Sequence, residues 1–387
     1  MSLVPWRDRY LVFGAPSLGA EERVAIAACL DSGWVGSGPR VAELEERLRD
    51  LLGAEATVAV NSGTAALHLA LLELRLEPGS EVITTPMTFC ATANAIVHAG
   101  LRPVFVDCGR STQNLDPETL ARAIGPRTRA VVPVHFAGRP CDMDAIGALA
   151  TEHGLHVVED CAHAIEATLR GRHCGTFGDF GCFSFYVTKN MTTIEGGLLT
   201  ARTKEAAARI KRRALHGMSA DAWRRFSDAG YVHYEVEEPG FKYNLTDLAA
   251  SIGLVQLDRL EAWWRRRREL WDYYLRELTG LPLVLPAAVP EGVRHALHLF
   301  TCLVDDARTR VARDDVLRGL HELRIGAGVH YTALHLHPYY RKTFGHRRGE
   351  FPNAEWIGDR TFSIPLSASV SDDDAADVVR ALRMILS

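Results

Sequence analysis

The stretch Cys182-Phe-Ser-Phe-Tyr-Val-Thr-Lys-Asn-Met-Thr-Thr-Ile-Glu-Gly-Gly197 decides how the 387-residue chain is read. An apolar strand, Phe180–Tyr186, breaks into Val-Thr-Lys-Asn, and Glu195-Gly196-Gly197 then precedes a second apolar strand, Leu198–Ala201. A lysine on such a turn can reach over a sheet edge, where partial desolvation and a nearby cation lower its pKa enough for amine chemistry. Glycines beside it let backbone pass close to a ligand. Lys189 lies 29 positions after Asp160, which ends another apolar run, Leu155–Glu159.

Upstream, short apolar runs alternate with helical stripes. Strands are expected at Ala56–Val60, Glu81–Thr85, Pro103–Asp107, Ala130–His135 and Leu155–Glu159. Helices are expected at Val41–Leu52, closed by Gly53, then from Asn61-Ser-Gly-Thr64 to Leu74, from Asp116-Pro117 to Ile124, and over Asp142–His153. This alternation predicts an α/β fold with a mainly parallel central sheet flanked by helices. Beyond residue 204 helical patterns dominate, at Lys204–His216 and Asp247–Leu278. A Pro-rich segment, Leu281–Pro290, leads to a strand at Leu297–Val304, a helix at Asp314–Leu323, a strand-like Phe362–Pro365 and a helix at Asp372–Leu386. The expected division is therefore a large domain, residues 1–255, and a smaller C-terminal α+β domain, residues 256–387.

Composition narrows the classes. The chain is 47% hydrophobic and 24% charged with a formal net charge of −4, which gives no pull toward nucleic acid or an anionic membrane. The basic run Trp263-Trp-Arg-Arg-Arg-Arg268 reads as a solvated helix face. Eight scattered cysteines without a C-x-x-C pair suggest reduced thiols, and no apolar run reaches membrane-spanning length, so a cytoplasmic protein is expected.

Several residues can carry chemistry. Ser62-Gly63-Thr64 opens a helix after a strand, where backbone N–H groups and the helix dipole favour a phosphate. Gly33-Trp-Val-Gly36-Ser-Gly38 follows a helix rather than a strand, so a dinucleotide fingerprint is missing. Phe89 opens the helix after the next strand and can lie over a flat ring. Asp160 and Glu159 should point to opposite faces of their strand. His163 follows three residues after Asp160. An amine and a buried carboxylate at neighbouring strand ends are what pyridoxal 5′-phosphate (PLP) chemistry requires: the amine forms a Schiff base, and the carboxylate keeps the pyridine nitrogen protonated. His330, His335 and His337 lack a paired carboxylate, so no metal site is expected.

The chain resembles the DegT-type nucleotide-sugar aminotransferase family, PLP enzymes of the aspartate aminotransferase-like fold type I. The resemblance runs through eight motifs in order: Ser32–Pro39, Asn61–Leu67, Thr88–Asn94, Pro133–Gly138, Glu159–Ala164, Phe183–Gly197, Gly240–Asp247 and Pro352–Glu355. It implies that Lys189 is the Schiff-base lysine and proton shuttle, and that Asp160 pairs with the pyridinium nitrogen. Phe89 would stack on the ring, His163 would sit beside it, and Gly63, Thr64 and Ser184 would hold the phosphate. Trp34, His330, Tyr331 and His335 would face the substrate. The resemblance also implies a homodimer with shared active sites, in which a residue of one chain reaches the other's phosphate. Many relatives read Gly-x-Asn-Tyr-Arg there, whereas this chain reads Gly240-Phe-Lys-Tyr-Asn244, which leaves Lys242 or Asn244 for that role, Asn244 being preferred. The Lys-Tyr-Asn version is similar to enzymes that aminate C-4. The implied substrates are a dTDP-4-keto-6-deoxyhexose or related nucleotide sugar and L-glutamate. A C-3 aminotransferase and a non-catalytic binder of PLP or a nucleotide sugar are the alternatives. Sugar dehydratases of the family carry histidine in place of the lysine, so Lys189 argues against that activity.

Overall fold

The computed structural model describes residues 4–218 and 235–387. Its centre is a seven-stranded sheet in the order Ala56–Val60, Gly197–Ala201, Phe180–Ser184, His156–Asp160, Thr128–Val132, Glu81–Thr84, Arg102–Phe105. Four of the six pairings are parallel, and Gly197–Ala201 runs antiparallel to both neighbours. The mainly parallel α/β sheet expected from the alternation is present, with this one reversed strand.

Local signals explain the elements. Ser62 caps helix Gly63–Glu73 by accepting the Ala65 N–H at 3.1 Å. Residues Ala65–Leu71 of that helix are all buried, as its nearly unbroken apolar sequence demands. Asp116 caps helix Pro117–Ala123 through the Glu118 N–H, with proline at the first position. Gly53, in the left-handed region at φ 64°, closes helix Pro39–Leu52.

A second core gathers under a three-stranded antiparallel sheet, Leu283–Val284, Phe300–Val304 and Thr361–Ile364, with helices Arg313–Glu322 and Asp372–Leu386. Two findings bear on the expected division at 255/256. That point lies inside the uninterrupted helix Asp247–Leu278, whose C-terminal half supplies Leu270, Trp271, Tyr274 and Leu278 to the second core. The N-terminal segment also joins this core rather than the first: Trp6 and Leu11 pack on it, and the Trp6 indole donates to Asp377 at 2.7 Å. Strand Phe300–Val304 starts three residues later than expected. Leu297 adopts φ 53°, where the His295 Nδ1 accepts its N–H at 2.8 Å, and this break precedes His298.

Candidate active site

The parallel strands of the central sheet end along one edge, where open α/β sheets bind ligands. Register brings the strand ends together. Gly197 pairs with Val60 on one side and Ser184 on the other, and Asp160 pairs with Cys182. A cavity of about 530 Å³ opens at this edge, lined by Gly63, Thr64, Thr88, Phe89, Asp160, His163, Ser184, Lys189, His298, His330 and Tyr331 among others. A larger cleft of about 730 Å³ lies at the opposite edge, between Asp50–Glu55 on one side and Gly171–Asp179 with Thr200–Arg202 on the other. It gathers no lysine and no buried carboxylate, so the smaller cavity is the chemical one.

Asp160 is buried. Its Oδ2 accepts from the Thr92 hydroxyl at 2.7 Å and its Oδ1 from the Ala162 N–H at 3.1 Å. Burial raises its pKa, and the Thr92 and Ala162 hydrogen bonds and the Lys189 charge offset part of that. Glu159 points the other way, as strand alternation requires. Its carboxylate accepts the N–H groups of Gly175 and Gly178, each at 2.7 Å, and pairs with His135 Nε2 at 3.0 Å. The Cys141 N–H donates to His135 Nδ1, so the ring proton sits on Nε2. His135, Glu159 and Cys161 lie close enough to invite a metal, but the imidazole and carboxylate are already engaged; the group braces the strand end that presents Asp160.

Burial lowers the Lys189 pKa from 10.5 to about 8, with Asp160 pulling it back up. Three imidazoles share the cavity wall. His163 accepts the Ala137 N–H on Nδ1 at 3.2 Å, which leaves its proton on Nε2, 3.3 Å from the Tyr331 hydroxyl. Burial, then Lys189 and the neighbouring histidines, hold its pKa well below the usual value. His330 is likewise pushed down to about 4, and its Nδ1 meets the Ser363 hydroxyl at 2.8 Å. Phe89 is 57% exposed over the cavity with its ring centroid 6.0 Å from that of Tyr331, so one aromatic face is open to a planar group.

These residues fit PLP. Gly63 and Thr64 occupy the first turn of a helix, where N–H groups have no intrahelical acceptor, and the Ser184 hydroxyl joins them. The cradle is tight: a Cβ on Gly63 would meet the Ser184 Cβ at 2.9 Å, and one on Gly197 the Ser62 carbonyl carbon at 2.5 Å. Asp160 supplies the carboxylate for a ring nitrogen and Lys189 the amine for an aldehyde.

The structure does not gather every residue expected from sequence. His335 is fully buried, its Nε2 2.9 Å from Glu355 and its ring packed on Phe351, which corrects the substrate-facing expectation. Trp34 lies outside the cavity, its indole donating to the Ser37 carbonyl at 3.1 Å. Asn244 and Lys242 are also outside it. The Asn244 amide donates to the Ser37 hydroxyl at 2.6 Å while its Oδ1 is buried without a partner. Conversely, Phe13, Gly14 and His298 line the cavity without having been expected there. Phe13 arrives from the N-terminal segment and stacks on His330 at 5.4 Å, a pairing that no local pattern announces. His298 had one signal, a histidine interrupting the apolar run at the start of an expected strand.

The chain is similar to known proteins over nearly its whole length. The chain is 46% identical over 385 residues to the spore coat polysaccharide biosynthesis protein SpsC of Bacillus subtilis, covering 99% of each. The aminotransferase TlmJ from Streptoalloteichus hindustanus superposes with a TM-score of 0.89 at 36% identity, over 98% of this chain and 99% of that one. The PLP form of Spr1654, a putative sugar aminotransferase from Streptococcus pneumoniae, gives 0.90 at 30% identity, covering 97% and 98%. The DegT/DnrJ/EryC1/StrS aminotransferase family matches residues 16–383, and the chain belongs to that family of PLP-dependent sugar aminotransferases.

Proposed function

We propose that this chain aminates a nucleotide-linked keto-deoxysugar, a dTDP-4-keto-6-deoxyhexose at C-4, with L-glutamate as donor and 2-oxoglutarate as co-product. The observation that carries the reading is the placement of the Lys189 amine and the Asp160 carboxylate in one cavity beside an open helix start. Bound PLP would supply an electron sink next to the carbon whose C–H bond breaks. Lys189 Nζ takes the proton from glutamate Cα and later returns one to the sugar carbon that receives nitrogen. With a pKa near 8, the amine exchanges that proton near neutrality. Asp160, steadied by Thr92 and the Ala162 N–H, holds a proton at the ring nitrogen. Gly63, Thr64 and Ser184 hold the phosphate, Phe89 covers the ring, and neutral His163 sits beside it. His330 and Tyr331 face the sugar.

In this reading the protein is a homodimer, and the buried, unpartnered Asn244 Oδ1 belongs to a site that a second copy completes, with Lys242 beside it. Among the described residues no helix is long and apolar enough to cross a membrane.

The test is a panel of dTDP-, UDP- and GDP-linked keto-sugars with glutamate and PLP, with products identified by NMR. C-4 amination of a dTDP sugar supports the reading; C-3 amination overturns the regiochemistry. Without sugar, glutamate alone should yield one 2-oxoglutarate per site, and no yield would mark a binder rather than an enzyme. Lys189→Ala should abolish both reactions.

A further inference from the structure

Behind Lys189 runs a buried polar chain. The Arg267 guanidinium donates to Glu166 Oε1, and both side chains are at most 3% exposed. The Asn190 amide nitrogen donates to Glu166 Oε2 and to the Ala296 carbonyl, each at 2.8 Å. Both are acceptors only, so the assignment of that amide is fixed by chemistry, and Asn190 Oδ1 must face the other way. It faces His298 Nδ1 at 2.9 Å. His298 Nδ1 therefore carries the ring proton. Burial, Lys189 and the neighbouring histidines and Arg267 keep the imidazole neutral, so Nε2 is left as a bare acceptor.

His298 lines the cavity beside Lys189, and its ring lies 4.3 Å from that of His163. His163 presents its own proton to Tyr331 and offers no free ring acceptor there. The Lys189 amine has no hydrogen-bond partner among the described residues, and neither does His298 Nε2. An unpaired donor and an unpaired acceptor thus line one cavity, close enough for the Lys189 charge to lower the His298 pKa.

We propose that His298 is a positioning residue for Lys189: its Nε2 accepts an N–H of the lysine amine whenever that amine is released, aiming the nitrogen lone pair back into the cavity. The Arg267–Glu166–Asn190 chain sets the tautomer that makes this possible. The proposal rests on the reading of Lys189 as the proton carrier, but its test separates the two.

In the apoprotein, ¹⁵N-resolved spectra of the histidine rings, with His298 assigned through His298→Gln, should show His298 neutral with hydrogen on Nδ1 at pH 7 to 8. Its Nε2 resonance should move toward that of an unbonded acceptor in Lys189→Ala. A ring carrying hydrogen on Nε2, or an Nε2 resonance indifferent to Lys189→Ala, overturns the proposal even if the enzyme transaminates normally. In the loaded enzyme, His298→Leu should lower kcat by about tenfold in both half-reactions, the scale of one lost hydrogen bond, with KM values within about twofold. His298→Gln, which restores an acceptor, should recover most of it. A rise in the sugar KM alone, with kcat unchanged, would instead make His298 a substrate contact and sink the positioning role.

Discussion

Replacing Arg267 with methionine tests the buried chain by its energetics. Arg267 and Glu166 are 2% and 3% exposed in their side chains, so water cannot solvate either charge alone. In the variant, Glu166 keeps the Asn190 amide on Oε2 but loses the guanidinium on Oε1. Leaving one member of a buried pair uncompensated costs about 3–5 kcal/mol, whereas an exposed pair would cost about 0–1 kcal/mol. The double variant Arg267→Met/Glu166→Leu removes both charges and substitutes apolar volume. Asn190 retains the Ala296 carbonyl, so the double should be less destabilised than Arg267→Met alone. Urea unfolding of Arg267→Met, Glu166→Leu, the double variant and the parent, all in the apo form, reads these values directly. A single variant within about 1 kcal/mol of the parent, or a double equal to the sum of the singles, would refute the claim that the pair is desolvated and coupled.

Four further outcomes are expected. Reductive methylation of the apoprotein, followed by peptide mapping, should show Lys189 half-reactive near pH 8, rising with pH because the reactive species is the free amine; a midpoint near the ordinary 10.5 would contradict its burial. In Asp160→Asn that midpoint should fall, because the carboxylate favours the ammonium. Gly63→Ala places a methyl 2.9 Å from the Ser184 Cβ and 3.3 Å from the Phe183 carbonyl, and should weaken PLP retention by at least about tenfold in equilibrium dialysis; an unchanged Kd would remove this turn from the cradle. His335→Leu breaks a buried contact with Glu355 and should lower the unfolding midpoint while leaving both KM values within about twofold; a large rise in the sugar KM would restore the substrate role that its burial denies.

The sheet was legible because its strands are short apolar runs separated by capped helices, and helix Asp372–Leu386 appears at the bounds its pattern predicts. The reversal of Gly197–Ala201 was less visible, since strand direction depends on the connection. Residues 185–196 contain no crossover helix, and only that absence points to an antiparallel return. Helix Ala20–Asp31 was read only as a helix ahead of Gly33, without bounds, because it buries only Glu22 and Cys29 and no apolar stripe marks a packed face. Lys189, Asp160 and the Gly63 turn sit at strand ends, and that local context gave them away. The substrate-facing place of His335 came from the resemblance alone, and no local pattern pointed to its partner Glu355, twenty residues on. His298 could not be placed by any local rule, because its partner Asn190 is 108 residues away and exists only once both cores are assembled.

That assembly is itself chemical. The sheet edge supplies the one amine and the one buried carboxylate of the cavity, while His298, His330 and Tyr331 come from segments flanking the second sheet. Three neutral imidazoles therefore border Lys189 without competing for its charge, and a protonated histidine there would push the ammonium to a still lower pKa. Arg267, on the helix shared by both cores, grips Glu166, and Glu166 fixes Asn190, the residue next to Lys189. A shift of one core against the other would pull on that chain at both ends and misdirect His298 and Lys189 together. The long helix consequently does more than join two packing units: it couples the position of the acceptor to the position of the amine.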